Sequence, residues 1–306
     1  MMHRHLRQVR PALTITLGAL LAAAVPARAQ RADSSAARWS AVESTLGRRG
    51  AEQPGGVRRF GFPRNDLHVT VGDVQVLPAL ALGSWVAFRP EGSAATVMGD
   101  LVLMEEELAP VLDRLLQGGI DVTAVHNHLQ RENPRVIYAH IHGHGAPERL
   151  AETVHAALAL TGTPLGTPPA IMPVRVDLDT AGIARTLGAH GSVSAGVYQV
   201  GVPRANVIRD DGAPVPSPMG VATAINFQPL GGGRAATTGD FVMTASEVPA
   251  VERALRAGGL SVTALHSHML DEEPRLFFMH FWGEGDALAM ARTLRSALDH
   301  MNVRHS

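Results

Sequence analysis

The sequence predicts an α+β protein built as a tandem duplication. Each half is a mostly antiparallel sheet with a β-α-β-β-α core and extra strands on its N-terminal side. Three observations lead there. First, a shift of 140 residues lays Gly99-Asp100 on Gly239-Asp240 and Gly118-Gly119 on Gly258-Gly259. It also lays His126, His128, Glu132, Pro134, Arg135 and His140 on His266, His268, Glu272, Pro274, Arg275 and His280; self-similarity at a fixed period marks a repeated structural unit. Second, in each copy β-like runs lead into one segment of helical periodicity and then return to alternation. Third, the histidines of the best-matched segment, His126, His128, His140, His142 and His144, are all even-numbered, which on extended chain puts them on one face.

The elements follow in order. His3, Arg4, His5, Arg7 and Arg10 precede an apolar run from Ala12 to Val25, and Ala27-Arg28-Ala29 is a small-x-small site. This is the pattern of a secretory signal over residues 1–29. The apolar run is short for a membrane span, so we expect an exported chain, periplasmic or extracellular, soluble after cleavage near Ala29 and with no span in its mature part. Residues 30–37 read as a tether, and Trp39 to Leu46 as a short helix stopped by Gly47. Val57–Phe62, Leu67–Val71, Trp85–Phe88 and Val97–Met104 are β-like. Glu105–Gln117 repeats Leu108, Val111, Leu112 and Leu115 at helical spacing and stops at Gly118-Gly119.

Asp121–His128 and Arg135–Gly143 form a hairpin whose turn is Gln130 to Pro134, with odd-numbered Val125, Leu129, Ile137, Ala139 and Ile141 covering the face opposite the histidines. Pro147–Leu160 is a second helix. The first repeat domain thus spans 38–160, a linker spans 161–177, and the second repeat spans 178–302. The linker is short, so the halves are expected to pack through a pseudo-two-fold relation. Gly99-Asp100 and Gly239-Asp240 read as a bulge or turn. Glu247 sits at a helix start capped by Thr244 or Ser246 and is assigned no chemistry.

Composition narrows the function. With 306 residues, 45% of them hydrophobic, the chain can bury a sizeable core. A net charge of −1 and the lack of a Lys/Arg stripe give no general attraction for nucleic acid. Only three Trp and two Tyr argue against an aromatic platform for glycans. There is no cysteine, so a metal would have to be held by His, Asp or Glu. Nucleophile-elbow, P-loop and dinucleotide glycine patterns are absent, and Gly231-Gly232-Gly233 reads as a flexible loop.

The histidines carry the chemistry. Zn²⁺ prefers neutral imidazole nitrogens at about 2.0–2.1 Å, and a catalytic zinc keeps three protein ligands and one open position. An i, i+2 pair on one strand plus one residue across the hairpin meets that need. The metal candidates are therefore His126, His128, His140 and His142 in the first half and His266, His268 and His280 in the second. His142 and His144 correspond to Trp282 and Glu284, so the halves are unequal: one supports the other, or both build one interfacial site. Glu284 is a candidate fourth ligand or general base; the alternative is a solvated carboxylate in a glycine-flanked loop. Arg135 and Arg275 are candidates to bind a carboxylate or phosphate of a small-molecule ligand, against a structural ion pair with Glu132 or Glu272, or with Asp100 or Asp240. The histidines themselves have a plain alternative, as packing groups of a sheet interface. If the metal is catalytic, activated water attacking an ester, amide or lactone is the economical scheme; without turnover the protein is a metal or small-anion binding module.

The runs GDLVLMEEELAPVL, VTAVHNHL and NPRVIYAHIHGHG, with GDFVMTASEVPAV and VTALHSHMLDEEPRLFFMHFWG in the second half, resemble the bacterial LppY/LpqO-like proteins, domain-of-unknown-function family 1259. The likeness covers nearly all of the chain after the leader. It implies no activity. Its mycobacterial namesakes are lipoproteins, but no cysteine here can take a lipid. In local pattern alone, an H-x-H strand with a third His about a dozen residues on is also similar to acetolactate decarboxylase and related zinc-binding α/β proteins.

Overall fold

The computed structural model describes residues 38–166 and 174–304. The stretches read from the sequence as a leader (1–29) and a tether (30–37), and residues 167–173 of the expected linker, lie outside the described residues. The first repeat runs α1 (38–46), β1 (Ala51–Gln53), β2 (Val57–Pro63), β3 (Thr70–Val71), β4 (Val74–Gln75), β5 (Gly83–Glu91), β6 (Ala94–Met104), α2 (Glu105–Gln117), β7 (Asp121–His126), β8 (Glu132–Asn133), β9 (Val136–Gly145) and α3 (Pro147–Leu158). The second runs α4 (Thr180–Leu187), β10 (Gly191–Ser194), β11 (Val197–Pro203), β12 (Arg209–Asp210), β13 (Ala213–Pro214), β14 (Ala222–Gly231), β15 (Arg234–Thr244), α5 (Val248–Ala257), β16 (Ser261–His266), β17 (Leu276–Asp286) and α6 (Ala287–Leu298). The two main sheets have the same antiparallel topology, β1-β2-β5-β6-β9-β7 and β10-β11-β14-β15-β17-β16. The α+β duplication read from the sequence is the fold observed.

Alternation decides which face of each sheet meets which partner. On β6, Val97, Leu101 and Leu103 point into a core shared with Val111 and Leu115 of α2 and Val154 and Leu158 of α3. The intervening Met98 and Val102 belong to cores that mix residues of both repeats. Helices thus cover one face of each sheet, and the other face is turned to the opposite repeat. Polar contacts between the repeats are reciprocal. Gln199 Nε2 donates to Ala79 O (2.8 Å) and Asn226 Nδ2 to Leu80 O (3.1 Å), while Arg59 Nη1 donates to Pro218 O (2.7 Å). The segment after β4 therefore lies on the second repeat, and the one after β13 lies on the first.

The same internal anchor occurs in both halves. Arg64, 1% exposed, donates to Val102 O and Glu107, and Arg204 repeats this with Val242 O and Glu247. A buried guanidinium needs such complete pairing. Glu247 also accepts from Thr244 N and occupies the cap position of α5 itself, in place of the hydroxyl cap expected there. Gly231–Gly233, read as a flexible loop, form the tight turn between β14 and β15, all three at positive φ.

The histidine hairpin and the strand beside it differ from expectation in four respects. β7 ends at His126, and residues 127–135 are an excursion in which β8 pairs with β3, Thr70 opposite Asn133. A register shift between Val122 and Ala124 sets β7 against β9. Because β7 is an edge strand, Val125 is 47% exposed, while Ala139 and Ile141 do join the helix-facing core and Leu129 is buried in the core between the repeats. Finally, Asp100 and Asp240 sit in regular strand, directly opposite His140 and His280, and form neither a bulge nor a turn. The glycine before each allows close backbone approach: a Cβ on Gly239 would lie 1.9 Å from Ala224 O.

Candidate metal centre between the repeats

β9 and β17 deliver His140 and His280, the ends of β7 and β16 deliver His126 and His266, and the following residues His128 and His268 fold inward. Each of these last two is held by a hydroxyl of the other repeat: Thr123 Oγ1 donates to His268 O and Thr263 Oγ1 to His128 O, both at 2.5 Å. The six rings pack face to face in three close pairs across the pseudo-two-fold. Ring centroids are 3.7 Å apart for His126 and His266, 3.8 Å for His128 and His280, and 3.6 Å for His140 and His268. Tyr138 backs His128 at 3.3 Å, and Phe278 backs His268 at 3.4 Å.

Two carboxylates complete the cluster. Asp100 Oδ2 lies 3.3 Å from His128 Nε2, and its Oδ1 lies 3.9 Å from His140 Nε2. Asp240 repeats this with His268 at 3.3 Å and His280 at 4.0 Å. None of these contacts has hydrogen-bond alignment: Asp100 Oδ1, His128 Nε2, His140 Nε2, Asp240 Oδ1 and His268 Nε2 are buried without a hydrogen-bond partner, as are His126 Nδ1 and both ring nitrogens of His266. His126 Nε2 and His280 Nε2 approach to 3.3 Å, and His280 Nδ1 meets Gly239 O at 2.9 Å. Buried polar atoms are nearly always paired, so this concentration of unpaired ones is unusual.

The electrostatics follow from burial. Desolvation pushes His126, His128, His140, His266 and His268 below the usual imidazole range, and repulsion from neighbouring rings adds to it. These rings are neutral, the form that ligates metal. Burial pushes Asp100 well above the carboxylate range, reinforced by Asp240, and raises Asp240 to about 6. Donor groups of three with all ligating atoms within 4.8 Å are His126/His140/His266, His126/His128/His280, His266/His268/His280 and Asp100/His128/His140. Two of the four draw on both repeats, so the donors capable of holding an ion form one assembly shared by the halves.

Other expected site residues lie apart from it. His142 shares the face of His140 but pairs with Asp210 of the second repeat at 3.0 Å, and this carboxylate raises its pKa; no donor group within 4.8 Å among the described residues includes it. His144 is 56% exposed beside Glu91. Glu284 is exposed and accepts from Trp282 Nε1 at 3.0 Å. Arg275 pairs with Glu272 at 3.2 Å and donates to Met269 O and Leu270 O, while Arg135 is exposed, its charge acting on Glu132. Asp100 and Asp240 were missed as donors, although their even numbers and their recurrence at the repeat interval were the signal that could have found them.

Fold and site together define a duplicated α+β protein with a buried histidine-carboxylate cluster between its repeats. The family model described as Domain of Unknown Function (DUF1259) matches residues 40–160 and 181–300, and the chain belongs to that family in two tandem copies. No curated protein matches it. Among solved structures, the double ringed trimeric shell protein MSM0271 from the RMM microcompartment is similar at 13% identity over 69% of this chain and 84% of that one, with a TM-score of 0.20. The trimeric bacterial microcompartment shell protein PduB is similar at 11% identity over 84% and 96%, with a TM-score of 0.22. Scores this low carry no argument about function. No helix among the described residues is long and apolar enough to cross a membrane.

Proposed function

We propose that this is a metal-binding protein whose two repeats jointly hold divalent transition metal, Zn²⁺ being the ion the donor set suits, through His126, His128, His140, His266, His268 and His280 with Asp100 and Asp240. The carrying observation is the set of buried donor atoms that face one another without hydrogen bonds. Two donors each about 2.1 Å from one ion, at a tetrahedral angle, stand about 3.4 Å apart. The 3.3 Å separations of His128 from Asp100, His268 from Asp240, and His126 from His280 match that spacing. Asp100/His128/His140 is a donor set within the first repeat and His266/His268/His280 one within the second, where Asp240 stands beside His268 and His280 as Asp100 stands beside His128 and His140. An export role rests on the leader-like residues 1–29.

Binding is favoured over hydrolase or lyase chemistry by the space available. The void beside His140 and His268 measures about 10 Å³, room for about one water and none for an organic substrate. Glu284, the candidate base, also lies outside the cluster. Metal analysis of protein purified without a polyhistidine tag tests the proposal. We expect at least one equivalent per chain, lost in the His128→Ala/His268→Ala variant; a metal-free wild type with no micromolar affinity for Zn²⁺ would leave the imidazoles as packing groups.

A further inference from the structure

The two sides of the cluster differ in the residues that line their approach. On the first-repeat side an open cleft of about 350 Å³ is lined by Asp121, Asp210, Asp211 and Asp271, with His142 and Met269 in its wall. His142 and Met269 also line the 10 Å³ void, whose other walls include His140 and His268. Cleft and void thus share His142 and Met269 as wall residues. Beyond them lies His140, 3% exposed, with its Nε2 unpartnered.

The repeat relation gives an internal control. The pairing of the short hairpin strands, Thr70 with Asn133 and Arg209 with Glu273, makes Ser261, Val71, Gly72 and Arg131 the equivalents of Asp121, Asp210, Asp211 and Asp271. The equivalent of His142 is Trp282, which is buried in the core between the repeats together with Val71. The second side therefore has no carboxylate at any of the four positions, a cation at one, and an indole where the first side has an imidazole. Since the donor sets are otherwise duplicated, this difference belongs to the approach and not to the cluster.

We infer that the acidic cleft is the entry route by which a hydrated divalent cation reaches the histidine cluster, with the His142–Asp210 pair as the last contact before the void. This rests on the metal-binding reading above and adds to it a direction of loading and a role for residues outside the ligand set. Clefts lined by one sign of charge concentrate the opposite ion and raise association rates by about 10 to 10³. Asp121, Asp211 and Asp271 are exposed, so replacing them leaves the buried donors in place.

The test is stopped-flow uptake of Co²⁺ by chelator-treated full-length protein, read by visible absorbance, comparing wild type with Asp121→Asn/Asp211→Asn/Asp271→Asn. The route predicts unchanged final stoichiometry, uptake slower by about tenfold at low salt, and convergence of the two rates in high salt. Equal rates at low salt, with the centre filling normally, overturn the route and leave the metal centre standing. A wild type that takes up no Co²⁺ at equilibrium removes both. The salt dependence of wild-type uptake is a second readout that needs no variant: a rate indifferent to ionic strength also overturns the route.

Discussion

Burial of the imidazoles makes a sharp statement about proton competition. Lowering the pH from 6.5 to 5.5 at an ordinary three-histidine site protonates rings of pKa about 6.5. The occupied fraction of neutral ring then falls about 5.5-fold per ligand, and affinity about 170-fold. Here five of the rings are held below the usual range; they are already neutral across that interval and displace no protons. The carboxyls work in the opposite sense. Their raised pKa values mean that a proton must leave before they ligate, so affinity falls as pH falls. With Asp240 at about 6 the loss is about threefold, and no single carboxyl can contribute more than about tenfold per pH unit. For an ion held by Asp100, His128 and His140 the expectation is a loss of at most about tenfold, with no more than about one proton released on binding at pH 5.5. Calorimetric titration with Zn²⁺ in buffers of different ionisation enthalpy measures both quantities. A loss near a hundredfold, or release of nearly three protons, would show that the rings are protonated in the metal-free fold and would refute the reasoning.

Other expectations follow from single features. Zn²⁺ at 100 times its dissociation constant should add about 2.7 kcal/mol to stability, which for a chain of this size raises Tm by about 4–5 °C; calorimetry with and without chelator measures it, and the shift should vanish in His128→Ala/His268→Ala. Arg204→Met leaves the Glu247 carboxylate without its buried partner and should cost about 3–5 kcal/mol, read by urea denaturation, with a similar loss for Arg64→Met. Gly239→Ala drives a methyl into Ala224 O and should destabilise by about 1–3 kcal/mol or more, while weakening metal retention because it displaces Asp240 and His280. Thr123→Val/Thr263→Val removes both reciprocal pins and should cost about 1 kcal/mol for each bond, with a looser centre seen as faster Zn²⁺ release to a competing chelator.

Much of the architecture was legible because it is local or repeated. Glu105–Gln117 forms the predicted helix with those bounds, since Leu108, Val111, Leu112 and Leu115 share one face and Gly118-Gly119 ends it. The duplication was visible residue by residue from Gly99 onward. Where inference failed, it treated neighbours in sequence as neighbours in space. His142 has the parity of His140, but i and i+2 on a strand stand roughly 6–7 Å apart, and that distance carries it to Asp210 of the other repeat. Asp100 was read from the glycine before it, although strand alternation with Met98 and Val102 places it on the face between the repeats. The meeting of six rings depends on contacts such as Thr123 with His268, 145 residues away, and no periodicity within one repeat encodes them.

The reciprocal pins have a consequence for how such a protein can be assembled. One repeat alone carries half of the donors, with its edge strand and rings open to water, so it could assemble the full six-histidine cluster only by meeting a second copy. Covalent fusion replaces that encounter with an intramolecular one at high effective concentration and fixes the partnership at one to one. It also frees the two surroundings to diverge, as a symmetric dimer cannot: an aspartate-lined approach and a tryptophan-filled one can coexist only when the two halves are encoded separately.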